Sequence, residues 1–158
     1  MNDLHLSSVP TVNAGMLIRR PPESVFQAFA DPAITTRFWF TKSSGKLEPG
    51  AKVRWDWEMY GASAKVTVKE FEENRRIVFD WGSEESSTTV ELRFIPFHDD
   101  TYLQVTENGF TGSGDEVVAR VADSTGGFTM TLSAAKALLE HDVVLTVVAD
   151  KAPPGLEL

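Results

Sequence analysis

Glu107 is the ionisable side chain with the clearest chemical potential. It follows Leu103 and Val105 at intervals of two, a spacing that puts all three on one face of a strand. Facing an apolar interior, a carboxylate can act as general acid, general base or anchor for a polar group on a ligand. The other reading has the strand end before Glu107 and the side chain reach solvent. That reading is favoured, because acidic groups are seldom buried unpaired. The remaining candidates are poorer. His5, His98 and His141 fall in a lead segment, a loop and a helix end, without metal-ligand spacing, so no metal and no cofactor are expected. His141 suits a helix C-terminus when protonated. No serine sits in a Gly-x-Ser-x-Gly elbow. No catalytic constellation is evident, and the protein reads as leaning away from enzymatic chemistry.

The second kind of chemistry is apolar binding. Val53, Trp55, Trp57 and Met59 alternate with Lys52, Arg54, Asp56 and Glu58, the pattern of a half-buried strand in which Arg54 and Glu58 lie on the wet face. Ala64, Val66 and Val68 repeat it, as do Ile77, Phe79 and Trp81, and Val90, Leu92 and Phe94. Successive strands of this kind form an antiparallel sheet with one apolar face to be covered. Helical spacing supplies the cover: Val25, Phe26, Phe29, Ile34, Phe38 and Trp39 early on, and Phe128, Leu132, Ala135, Leu138 and Leu139 late. The small residues Ala134, Ala135 and Ala137 on the late helix leave room for a cavity. Each ring alone reads as core. As a set, the expected ligand-binding residues are Phe38, Trp39, Trp55, Trp57, Met59, Val66, Phe79, Trp81, Leu92, Phe94, Val105, Glu107, Phe110, Phe128 and Leu132, with indole N–H groups meeting a polar group on the ligand.

Punctuation places these elements. Residues 1–10 read as a flexible lead, 11–149 as a single domain and 150–158 as a frayed tail. The first strand spans Thr11 to Arg20, with Val12, Ala14, Met16 and Ile18 on one face. Pro22 opens a helix to Ala30, and Asp31-Pro32 caps and opens a second, running through Trp39. Turns are expected at Glu48-Pro49-Gly50, Tyr60-Gly61 and Glu73-Asn74, with polar connections at Gly82–Ser87 and Pro96–Asp100. Gly109–Gly114 lacks the lysine of a phosphate cradle and reads as a gate or plain connector. Asp115 is expected to cap the late helix. Gly126-Gly127 weakens that helix by roughly 2 kcal/mol, so a break is expected there. The β-branched run Val143–Val148 reads as a last strand or extended arm.

Composition sets the limits. A chain of 158 residues with 42% hydrophobic content suffices for one real core. Zero cysteine excludes disulfides, thiolate metal sites and cysteine nucleophiles, and fits a reducing compartment. The first residues lack the basic and apolar regions of a secretory signal, so a cytoplasmic location is expected. A net charge of −8 without a marked Lys/Arg cluster argues against nucleic acid and anionic membrane partners.

Arg20-Pro21-Pro22-Glu23-Ser24-Val25-Phe26-Gln27-Ala28-Phe29, Asp31-Pro32, Phe38-Trp39, Pro49-Gly50, Trp55-Asp56-Trp57, Asn74 to Trp81, Gly127-Phe128 and Leu138-Leu139-Glu140-His141 together resemble the SRPBCC (START-related) superfamily. The similarity is to the branch typified by the C-terminal domain of the activator of the heat-shock chaperone ATPase, over roughly residues 12–148. The resemblance implies an α+β helix-grip fold: a curved antiparallel sheet wrapped around a long C-terminal helix, with two short helices after the first strand. Phe128 stands where that branch commonly has tryptophan, which bears on pocket shape. Fold does not fix function, and three readings follow. The leading one is a soluble, non-enzymatic protein that binds a hydrophobic or aromatic small molecule in a cavity between sheet and C-terminal helix. The second is a stress-response interaction module whose partner is a heat-shock chaperone. The third is a cyclase- or hydratase-like enzyme using Glu107. Monomer and homodimer both remain open.

Overall fold

A computed structural model describes residues 4–83 and 85–158; residues 1–3 of the expected lead and Glu84 of the expected Gly82–Ser87 connection lie outside the described residues. The elements run β1 (Val12–Ile18), α1 (Pro22–Ala30), α2 (Pro32–Thr35), β2 (Lys42–Ser43), β3 (Lys52–Trp57), β4 (Ala62–Glu72), β5 (Arg76–Ser83), β6 (Ser86–Phe97), β7 (Asp100–Asn108), α3 (Gly114–His141) and α4 (Val147–Asp150). The strands form one antiparallel sheet in the order β1-β7-β6-β5-β4-β3-β2. With the long α3 packed across it, this is the expected α+β helix-grip architecture.

The alternating residues do what their period requires. Trp55, Val66, Val68, Ile77, Phe79, Val90, Leu92, Phe94, Leu103 and Val105 are all buried on one face, while Arg54 and Glu58 are exposed. Removing that much apolar surface from water, at about 25 cal/mol per Å2, is the main stabilising contribution. Phe26 of α1 meets Phe71 and Phe94 edge to face at centroid distances of 5.3 and 5.1 Å, which seats α1 over the sheet. Asp31 joins two helices: its N–H donates to the Gln27 carbonyl, ending α1, and its carboxylate accepts from the Ala33 N–H, opening α2.

Several expectations about connections are corrected. α2 ends at Thr35 rather than running to Trp39; turns carry the chain on, and bury Phe38 and Trp39 from outside a helix. Met59 is not in a strand: β3 stops at Trp57, and Glu58–Tyr60 form a 3-10 turn closed by Gly61 at φ 60°. The two polar connections are shorter than expected. β5 and β6 stay paired out to Ser83 and Ser86, and β6 continues through Pro96 to Phe97. The side chain that caps α3 is that of Ser113, which accepts from the Glu116 N–H, and not that of Asp115.

α3 is unbroken across Gly126-Gly127. Flanking packing outweighs the local cost: Phe128, Leu132, Ala135 and Leu138 are buried beyond the pair, and tertiary burial rather than propensity holds most helices. Nor is Val143–Val148 a strand. Asp142 ends α3 in the left-handed region at φ 53°, with its own N–H and that of Val143 returning to the Leu138 and Ala137 carbonyls. The chain then reverses into the short turn α4.

The C-terminal end of α3 is pinned to the end of β1. Glu140 accepts from the Arg19 backbone N–H at 2.9 Å and from the Lys136 ammonium at 2.6 Å. The same ammonium donates to the Leu17 carbonyl at 2.8 Å. Burial pushes the Glu140 carboxyl upward, but the Arg19 N–H, Lys136 and His141 outweigh it and hold the group below the ordinary glutamate value.

Candidate functional site

The inward rings divide into two populations. Phe38, Trp55, Val66, Phe79, Leu92, Phe94, Val105 and Leu132 are closely packed core residues. Trp55 stacks on Phe40 with centroids 4.4 Å apart, both rings buried. These eight expected ligand contacts line neither of the two cavities described below. Met59, carried off the sheet by the 3-10 turn, is also absent from the cavity walls. A hollow persists between the sheet and α3, around Trp39, Trp57, Trp81 and Phe128.

That hollow is an open cleft of about 450 Å3, within the range of small-molecule sites of about 300–1,000 Å3. The centroids of Trp39, Trp57 and Trp81 lie 6.3, 5.9 and 6.2 Å apart, a triangle of edge and tilted contacts. Phe128 closes on Trp81 and Trp39 at 5.6 and 5.8 Å. Beside Phe128, Gly127 presents no side chain, and a Cβ built there would meet nothing within 4 Å. Gly127 thus supplies space at the wall, and the glycine pair does not break the helix.

The rim comes from residues with no strong signal in the sequence. The Tyr60 hydroxyl donates to the Val148 carbonyl, and the Lys151 ammonium pairs with Asp123 at 3.2 Å. Together they draw the segment after α3 across one side of the cleft, where Val148, Lys151 and Ala152 become lining residues. The β-branched run had suggested a strand; a strap was legible only from its anchor, Tyr60, 88 residues away.

Glu107 is buried, at 3% exposure. This overturns the favoured solvent-facing reading, and the reason is pairing. Strand β7 continues through Asn108, and the carboxylate is met from three sides. Oε2 accepts from the Trp81 indole N–H at 2.9 Å and from the Thr88 hydroxyl at 2.6 Å, and Oε1 accepts from the Ser124 hydroxyl. A buried carboxylate with hydrogen bonds at both oxygens avoids the penalty that makes unpaired ones rare. Because Trp81 spends its N–H on Glu107 and Thr88, that indole is not the ligand donor expected of it.

Glu107 lines a second, shallower cavity of about 320 Å3, together with Phe110 and Arg120. The two cavities share Trp57, Trp81, Asp123 and Ser124 as a common wall. Phe110, from the glycine-rich segment, is buried with the Arg120 guanidinium 5.2 Å above its ring. Of the fifteen expected binding residues, then, six line one or other of these two cavities: Trp39, Trp57, Trp81, Phe128, Glu107 and Phe110. The sequence reading missed Ser124, whose helical position carries no motif. Among the described residues no three histidine, cysteine, aspartate or glutamate side chains are grouped to hold a metal ion, and no helix is long and apolar enough to cross a membrane.

The sequence pattern of the family described as Activator of Hsp90 ATPase homolog 1-like protein matches residues 19–140. The fold is similar to that of the protein SSP2350 from Staphylococcus saprophyticus, with 29% identity and a TM-score of 0.74 over 86% of this chain and 96% of that one. It is also similar to the Aha1 dimer from Colwellia psychrerythraea (18% identity, TM-score 0.73, 84% and 97% of the two chains). CalU16 from Micromonospora echinospora is a further relative in fold (20% identity, TM-score 0.68, 84% and 76%). No curated protein matches the sequence significantly.

Proposed function

We propose, on the premise that this chain belongs to the family of Activator of Hsp90 ATPase homolog 1-like proteins, that it binds an apolar or aromatic small molecule in the cleft between its sheet and α3. The observation that carries this reading is the open space walled by Trp39, Trp57, Trp81 and Phe128 beside the bare backbone of Gly127. Aromatic rings around a partly enclosed hollow offer large contact area with little loss of side-chain freedom. Titration with a varied panel of hydrophobic aromatic probes, followed by tryptophan fluorescence, tests it. A saturable response that Gly127→Leu abolishes is expected. No saturation with any probe overturns the reading.

A second reading, supported by the family's own description, is a contact module for a heat-shock chaperone ATPase. It predicts that the purified protein raises the ATPase rate of an Hsp90-class chaperone, and that Gly127→Leu leaves the effect intact because the contact surface lies elsewhere. A third role, proton transfer by Glu107 of the cyclase or hydratase kind, draws support from the burial of that carboxylate beside the cleft wall. A ligand transformed equally fast by wild type and by Glu107→Gln would end it.

A further inference from the structure

We infer that the polar end of the aromatic cleft is a hydrogen-bond acceptor, and that the ligand it selects is an aromatic or apolar molecule bearing a hydroxyl or amine donor; this rests on the small-molecule reading above. The argument is the direction of protons in a closed network. The Trp81 indole nitrogen can only donate, so Oε2 of Glu107, 2.9 Å away, must accept from it. The Thr88 hydroxyl, 2.6 Å away, adds to the same oxygen. The remaining oxygen, Oε1, accepts the one hydroxyl proton of Ser124.

Ser124 is half-buried and lines the aromatic cleft as well as the cavity over Glu107. With its proton committed to Glu107, its oxygen offers the cleft lone pairs and no hydrogen. Asp123 and Lys151 also line the cleft, but they pair with each other at 3.2 Å, so their charges offset and Ser124 is left as the polar group that sets the match. A ligand ending in a carbonyl or ether would set acceptor against acceptor here. One ending in a phenol, alcohol or amine completes the chain from ligand to Ser124 to Glu107. A site built to hydrogen-bond a hydroxyl discriminates strongly against an analogue that lacks it.

The network also dictates what a single isosteric change does. In Glu107→Gln the amide oxygen must still face the Trp81 N–H, so the amide NH2 turns to Ser124 and donates to it. Ser124 is then free to point its own proton into the cleft, and the preference inverts.

The test is calorimetric titration of wild type, Ser124→Ala and Glu107→Gln with 2-naphthol and with 2-methoxynaphthalene, which share a ring system and differ in having or lacking a donor. Differences intrinsic to the ligands cancel when the affinity ratio is compared between proteins. We expect the naphthol-to-ether ratio to be about tenfold higher in wild type than in Ser124→Ala, and lower in Glu107→Gln than in Ser124→Ala. Equal ratios in wild type and Ser124→Ala, with both ligands bound, overturn this inference and leave the binding reading standing. Failure of both ligands, together with a wider aromatic panel, to bind wild type removes the binding reading and this one with it. Should Glu107→Gln not fold, the comparison with Ser124→Ala still decides the matter.

Discussion

The Trp81 indole N–H donates to Glu107 across an intervening strand: Trp81 is on β5, Glu107 on β7, and Thr88 of β6 lies between them bonded to both. Three adjacent strands are thus joined through side chains on the inner face as well as through the backbone ladder. Since the acceptor is a carboxylate at 3% exposure, the bond stabilises more than a neutral surface pair does.

Replacing Trp81 with phenylalanine deletes the donor and leaves Oε2 with Thr88 alone. Chemical denaturation is expected to show Trp81→Phe about 2 kcal/mol less stable than Trp57→Phe, a tryptophan of the same cleft with no bond to a carboxylate. Equal losses for the two variants would mean that the N–H bond contributes nothing beyond ring packing.

Gly127 separates helix propensity from cleft volume. A Cβ there meets no atom within 4 Å, so Gly127→Ala is expected to stabilise the protein by about 1 kcal/mol in thermal or urea unfolding, while leaving probe binding intact. Gly127→Leu extends into the cleft and is expected to weaken binding at least tenfold with the fold retained. A destabilised Gly127→Ala would show the backbone there to be more constrained than its surroundings indicate.

Glu140 makes the stability pH-dependent. Its carboxyl is held below the ordinary glutamate value of 4.5 in the folded protein. A lowered folded value means that the ionised form favours folding, so the contribution is complete above 4.5 and fades as pH falls through the lower folded value. Wild type should therefore exceed Glu140→Gln in stability at pH 7, and the gap should shrink steadily as the medium is acidified below 4.5. A gap of constant size from neutral to acidic pH refutes the role given to the Arg19 and Lys136 bonds.

Tyr60 holds the strap through its hydroxyl to the Val148 carbonyl. Tyr60→Phe keeps the ring and loses the bond. Because the bond is surface-exposed, the cost in global stability is expected to stay below about 1 kcal/mol, whereas the amides of Lys151 and Asp150, bonded back to Val147 and Thr146, should exchange with deuterium several-fold faster. Unchanged exchange at those amides would locate the strap's anchor at Lys151–Asp123 instead.

How far the chain was legible beforehand follows from the range of the forces involved. Periodicity is local, so the alternation of Trp55 and Trp57 with their charged neighbours, the α3 stripe from Phe128 to Leu138 and the Asp31-Pro32 helix start could all be read from a few residues at a time. Strand, cover and helix-grip order followed from that patterning and from the motifs of the family. Local signals also misled. The glycine pair pointed to a broken helix, and the run after Asp142 to a strand, because packing on Phe128 and anchoring on Tyr60 come from residues distant in sequence.

The sequence by itself determined which faces are apolar, where α1 and α2 begin and that most of the aromatic rings on the strands turn inward. Only the tertiary structure decided which of those rings fill space and which border it: that depends on the spacing between α3 and the sheet, a distance set by all the packed residues together. It decided the state of Glu107 as well. Parity aimed the side chain at the interior, but a buried carboxylate is tolerable only with partners, and Trp81, Thr88 and Ser124 stand 26, 19 and 17 residues away from it along the chain. They become neighbours only once β5, β6, β7 and α3 have come together.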